Sequence, residues 1–357
     1  VNPAAYGLNT ISTFTPSETA KLRIAPAAGV NTTIRGPLDA SIFYIYNSWI
    51  EFDGSNTPGG STRNLTILIT GTNQGSGAII AAGRGIVLKN LNIGGADSSK
   101  GTGISLNFAK NSHVTNNKIY SVSTGIQVWN DCDSIYISKN VIGSTNTGSR
   151  IGLDGIYIRA TKNFKITENI ISGVTGSGAT GVNGIYFFNP LVVASPINGL
   201  IDRNHIFEVR HTGLNTNAQP ANGIMLAPNS PEAAVTVTNN VISNILSGQK
   251  NAVYAMTSGI FIQNGGGINI INNSIRLAGQ ITHNQSSETY SSCIFVNNFG
   301  TTGINIMNNI LSNRISNPAG GNGTHFGVWT RSASSFANFN FNLFDMSPGT
   351  GRLLYLA

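Results

Sequence analysis

The sequence predicts an all-β solenoid, a chain wound into stacked coils, and three observations carry that prediction. First, Asn117, Asn140, Asn169, Asn204, Asn240, Asn273, Asn309 and Asn342 each stand two residues before an Ile, Leu or Phe, at steps of 23, 29, 35, 36, 33, 36 and 33 residues. Second, a small residue followed by Ile or Val recurs beside them, as in Gly103-Ile104, Gly125-Ile126, Gly155-Ile156, Gly184-Ile185, Gly223-Ile224, Gly259-Ile260, Cys293-Ile294 and Gly327-Val328. Third, only 10% of the chain is charged, where about 25% is usual. With 42 Gly and 40% hydrophobic residues, such a composition suits many short strands joined by tight turns. A unit of about 33 residues cannot bury its apolar face alone, so it must stack on copies of itself.

Each coil begins at the Gly-Ile step with a strand of strict alternation. In GIYIR (residues 155–159), Ile156 and Ile158 are expected to point into the coil while Tyr157 and Arg159 point out. A second strand carries the asparagine, as in FKITENII (164–171). Residues 171–183, 206–222, 242–258 and 275–292 vary in length and are rich in Ser, Gly, Asn and Thr, which predicts surface loops on one side. Asn tolerates the left-handed backbone that a sharp bend requires. Stacked at about 4.8 Å, its side-chain amides are expected to hydrogen-bond from coil to coil. The organisation expected is an N-terminal cap segment over residues 1–30 and one solenoid domain over 31–357.

The net charge of +7 comes from 21 Lys and Arg against 14 Asp and Glu, dispersed without a basic run. Dispersed charge argues against a nucleic-acid partner. No apolar stretch approaches the roughly 18 residues of a spanning helix, so membrane insertion is not expected. The first residue, Val1, points to a mature or excised product. Cys132 and Cys293 fall five coils apart, on the order of 24 Å, beyond the roughly 7 Å a disulfide allows; both are expected as free thiols.

With these repeats in place, the chain resembles the right-handed parallel β-helix proteins of the pectin-lyase-like superfamily. Residues 21–36 (KLRIAPAAGVNTTIRG), 49–55 (WIEFDGS) and 63–67 (RNLTI) look like the opening of β-helix modules in large bacterial surface proteins exported by type IX secretion. The resemblance implies a secreted protein at the bacterial cell surface. The closing segment, residues 338–357, carries no polar cap, which points to a further segment or subunit beyond it.

Many β-helix proteins act on acidic polysaccharides, which makes the acids and bases of the chain candidates for a site. Hydrolysis requires two carboxylates across one groove, and lyase chemistry a cationic base beside a charge-neutralising group. VWND (128–131) resembles the VWxDH of pectate lyases, but Cys132 stands at the His position, and no role is carried over. The best cluster for catalysis is Asp131, Asp133, Asp154, Arg159 and Lys162, with Lys110. Aligning Ile104, Ile126 and Ile156 puts Lys110, Cys132 and Lys162 in one column and Asn111, Asp133 and Asn163 in the next. The competing account is a solvated turn of alternating charges, each pair contributing about 0–1 kcal/mol. His113, His205, His211, His283 and His325 lack metal-ligand spacing; Arg210-His211 is placed in a long loop. No metal and no cofactor are expected.

One feature rises above architecture. The outward position after each strand-start Ile or Val reads Ser105, Gln127, Tyr157, Tyr186, Met225, Phe261, Phe295, Trp329, and two residues on stand Trp129, Arg159 and Phe188 among others. Trp129, Tyr157, Tyr186, Phe188, Phe261, Phe295 and Trp329 therefore form a candidate binding stripe, for sugar faces or a second subunit, with Arg159 over Trp129 as a cation–π pair. The alternative is that loops fold back and make the stripe a satellite core. The leading functional expectation is a secreted, non-catalytic structural or adhesive module that associates with itself or a neighbouring surface protein. A polysaccharide lyase or glycoside hydrolase, and a glycan-binding platform without cleavage, are the alternatives.

Overall fold

The computed structural model describes residues 15–36, 41–70, 77–190, 196–213, 220–247, 256–281, 289–297, 300–317 and 321–356. Over them the chain is a right-handed parallel β-helix with three strands to a coil. In one coil these are Ile151–Arg159, Lys165–Thr167 and Ile170–Gly176. In the next they are Val182–Phe188, Gly199–Asp202 and His205–His211. The two coils pair in parallel, with Ile156 beside Ile185, Ile166 beside Ile201 and Ile171 beside Ile206. Like residues thus lie over like residues. Ile126, Ile156, Ile185, Ile224, Ile260 and Ile294 form one fully buried column. Each such side chain stabilises the stack by about 1.5–3 kcal/mol relative to exposure.

The Gly-Ile step is a corner. A Cβ on Gly155 would stand 2.5 Å from the Gly184 carbonyl oxygen and 2.5 Å from Ile171 Cγ2, and Gly125, Gly184, Gly223 and Gly259 meet the same obstruction one coil on. The close approach of backbone to backbone is what requires glycine there, since none of these five has a positive φ.

The asparagine ladder runs unbroken. Asn117, Asn140, Asn169, Asn204, Asn240, Asn273 and Asn309 are buried, and each donates from Nδ2 to Oδ1 of the next at 2.9–3.1 Å. The left-handed residue is not the ladder asparagine, as turn propensity predicts, but the one before it: Asn116, Lys139, Glu168, Arg203, Asn239, Asn272, Asn308 and Phe341, at φ 53–59°. That residue turns the chain, and the asparagine uses its amide to staple the bend.

Two expectations about loops are corrected. The segments after Ile171, Ile206, Ile242 and Ile275 first continue as strands Ile170–Gly176, His205–His211, Val241–Ser247 and Ser274–Gln280. Arg210 and His211 lie on such a strand, not in a loop. A left-handed residue at Gly173, Glu208 and Asn244 (φ 53–63°) shifts the phase of the strand midway, so the period of two is broken and the strand is masked. Residues 214–219, 248–255 and 282–288, and with them His283, lie outside the described residues. Cys132 and Cys293 are free and buried. No helix among the described residues is long and apolar enough to cross a membrane.

Candidate functional site

The outward residues of the first strand of each coil build the site. Gln127, Tyr157, Tyr186 and Met225 stand in register on four successive coils, with Trp129 two residues beyond Gln127. Trp129 and Tyr157 meet edge to face at 5.5 Å between ring centroids, and Tyr157 and Tyr186 lie tilted at 5.1 Å. All three rings are half-buried. Arg159 lies over the Trp129 ring at 4.7 Å and over Phe188 at 5.8 Å, the cation–π contact the spacing predicts.

On the other side of the glycine corner runs a polar column. Thr124, Asp154, Asn183 and Asn222 are in register and buried. Asn222 Nδ2 donates to Asn183 Oδ1 (2.9 Å), and Asn183 Nδ2 donates to Asp154 Oδ1 (2.8 Å). Rings and column together line a groove of about 530 Å³, rimmed by Leu153, Ala179, Thr180, Gly181 and Pro220. His211, from the third strand, steadies that rim by donating from Nε2 to the Gly178 carbonyl at 3.0 Å. Burial pushes the Asp154 carboxyl up to about 7, the Asn183 hydrogen bond opposing. Burial likewise pushes Tyr157 up and Tyr186 up to about 12.

The structure divides the acid–base cluster. Asp154 is in the groove, and Arg159 borders it through Trp129. Asp131 is exposed on the turn between Val122–Trp129 and Cys132–Ser138, while Asp133 and Lys162 stand on the adjoining face. The expected columns there are shifted by one. Lys110, Asp133 and Lys162 are in register, and Cys132 lies beside Thr161. The cause is the turn: Asn130 and Asp131 are both left-handed, where the equivalent turns use Phe108 or Ala160 alone. Asp133 accepts from Asn163 Nδ2 at 2.8 Å and from Ser134 Oγ at 3.0 Å. Charges therefore alternate lysine, aspartate, lysine up this face.

The aromatic stripe is also divided. Phe261, Phe295 and Trp329, expected outside, are buried at 0–4% exposure in a second cluster with Met256 and Phe326, against which Met225 and Tyr290 pack. Phe261 stacks on Phe295 at 4.7 Å, and Phe295 meets Trp329 edge to face at 4.7 Å. Position after the Ile fixes that a side chain leaves the coil, but residues such as Met256, entering the next strand, decide whether it reaches water. Trp129, Tyr157, Tyr186 and Phe188 remain as the open part. Thr124, Asn183 and Asn222 are lining residues that sequence reasoning missed; their signal is a run of polar residues two before each Ile.

No family model matches the chain, and no curated protein does. Among solved structures it is similar to the A-module of Azotobacter vinelandii mannuronan C-5 epimerase AlgE4, at 12% identity and TM-score 0.49 over 95% of this chain and 90% of that one. It is also similar to the AlgE6 A-module of the same organism, at 15% and 0.48 over 94% and 87%. A third likeness is to DFA-IIIase from Arthrobacter chlorophenolicus A6 without its lid, at 13% and 0.46 over 92% and 88%. Likeness at this level carries no argument about chemistry.

Proposed function

We propose that the chain is a non-catalytic β-solenoid that docks carbohydrate in the groove lined by Trp129, Tyr157 and Tyr186, an adhesive module of the cell exterior. What supports it is one observation: three half-buried rings on successive coils flank a 530 Å³ groove whose lining also includes Thr124, Asp154, Asn183 and Asn222. Ring faces pack on the apolar faces of sugars, and buried amides and carboxyls fix hydroxyl orientation. Tyr157→Ala is expected to lower affinity for a bound glycan about fivefold, from the roughly 1 kcal/mol a stacked ring contributes beyond its area. Binding on a glycan array that is indifferent to Trp129→Ala and Tyr157→Ala would sink this reading.

The catalytic alternative has one observation in its favour, the raised pKa of Asp154, which suits a general acid. Glycoside hydrolysis in its usual form uses two carboxyl groups about 5–9.5 Å apart, and Asp154 is the one acid among the groove-lining residues described. Release of reducing ends or unsaturated uronate from a polysaccharide panel, abolished by Asp154→Asn, would favour the enzyme. Self-association belongs to the same proposal. Phe341, Leu343 and Leu353 on the last described coil are each exposed, and large exposed apolar side chains suit a contact. A concentration-independent monomer in sedimentation would count against it.

A further inference from the structure

Asp154 poses a problem that the fold leaves unsolved. The residue is 5% exposed, yet none of the ion pairs among the described residues includes it. Oδ1 accepts from Asn183, and Oδ2 accepts no hydrogen bond from any described residue. The Arg159 guanidinium is spread over Trp129 and Phe188; its charge acts on Tyr157 and is not among the causes that set Asp154. A buried carboxylate without a cation is costly, and the group answers by holding its proton or by finding a counter-charge. The other titratable groups facing it, Tyr157 and Tyr186, bring no positive charge.

The rings beside it favour a cation as well. Trp and Tyr faces carry negative potential and attract ammonium groups. A calcium or magnesium ion is disfavoured, because these take six or more oxygen ligands and no group of three His, Cys, Asp or Glu that could hold a metal gathers among the described residues. A lone ammonium would leave most of a 530 Å³ groove empty, whereas a saccharide fills a space of that order. We propose that the groove selects glycans bearing a free, protonated amine, with Asp154 as the counter-ion and Trp129, Tyr157 and Tyr186 as the platform for the sugar rings. This rests on the carbohydrate reading and narrows it to amino sugars that are not N-acylated.

The background charge makes the proposal testable. At +7 the protein repels polycations in general, so attraction of an amine must come from a local site. Titration calorimetry at pH 7.5 with a glucosamine hexamer, an N-acetylglucosamine hexamer and a glucose hexamer separates the outcomes. Expected is at least tenfold tighter binding of the glucosamine hexamer, a preference that fades toward pH 5 as Asp154 takes a proton. The same preference is lost in Asp154→Asn, which keeps the side-chain shape while removing the charge. Equal affinity for all three oligomers, or a preference that survives Asp154→Asn, overturns the inference and leaves the carbohydrate reading standing. No binding of any hexamer, with a far-ultraviolet spectrum showing the β-helix intact, overturns both.

Discussion

Replacing Asn204 by alanine removes one rung from the middle of the ladder, and the structure says what is lost. Oδ1 accepts from the Asn169 backbone N–H at 3.0 Å and from Asn169 Nδ2 at 2.9 Å. Nδ2 donates to Asn240 Oδ1 at 3.0 Å and to the Ile166 carbonyl at 2.9 Å. Alanine leaves the Asn169 N–H buried without a partner, which costs about 1–3 kcal/mol, and removes further amide hydrogen bonds at about 1 kcal/mol each. The variant is expected to lose about 4 kcal/mol. Asn342 makes the same contacts with Asn309 but is half-exposed, so water replaces the lost partner and Asn342→Ala is expected to cost about 1 kcal/mol. Urea unfolding followed by tryptophan fluorescence measures both. Equal midpoint shifts for the interior and terminal variants, or an interior loss under 1 kcal/mol, would refute the idea that satisfied burial, not turn propensity, is why asparagine recurs.

Gly223→Ala should destabilise by about 1–3 kcal/mol through overpacking, since its Cβ falls 2.6 Å from the Gly259 carbonyl oxygen, whereas Gly148→Ala, with nothing within 4 Å, should be near neutral in the same assay. His325 is buried, accepts from Ser291 Oγ at Nδ1 (2.8 Å) and donates from Nε2 to Asn317 (3.1 Å). Burial lowers its pKa from 6.5 to about 4. The unfolded chain therefore binds the proton more readily, so this contribution is present above pH 6.5 and is lost as pH falls toward 4, by up to about 3 kcal/mol. His325→Gln should flatten that part of the stability profile in thermal melts across pH 4–7. Asp154 has the opposite sign: its pKa rises from 3.8 to about 7, so its contribution is present below pH 3.8 and is lost as pH rises through 7. Asp154→Asn is expected to be more stable than the parent at pH 8 by a few kcal/mol and no more stable at pH 4; a destabilised variant at pH 8 refutes the unpaired carboxylate.

Repetition made the architecture legible. A stack superimposes like residues, so Asn204, Gly184 and Ile185 announce in one dimension the columns they occupy in three, and the free thiols of Cys132 and Cys293 follow from counting coils. The site was only half legible, because it depends on departures from the repeat. One extra left-handed residue in the turn at Asn130 and Asp131 moved Asp133, not Cys132, between Lys110 and Lys162. Glu208 and its equivalents broke the alternation that would have placed His211 on a strand. By itself the sequence determined the coil, its ladder and which side chains leave it, since these follow from short-range periodicity and the sterics of stacking. Only the tertiary structure decided that Tyr157 opens to a groove while Phe295 and Trp329 are sealed, and that Asp154 lies unpaired beneath the rings, because exposure is set by residues distant in the chain that arrive to cover a surface or leave it bare.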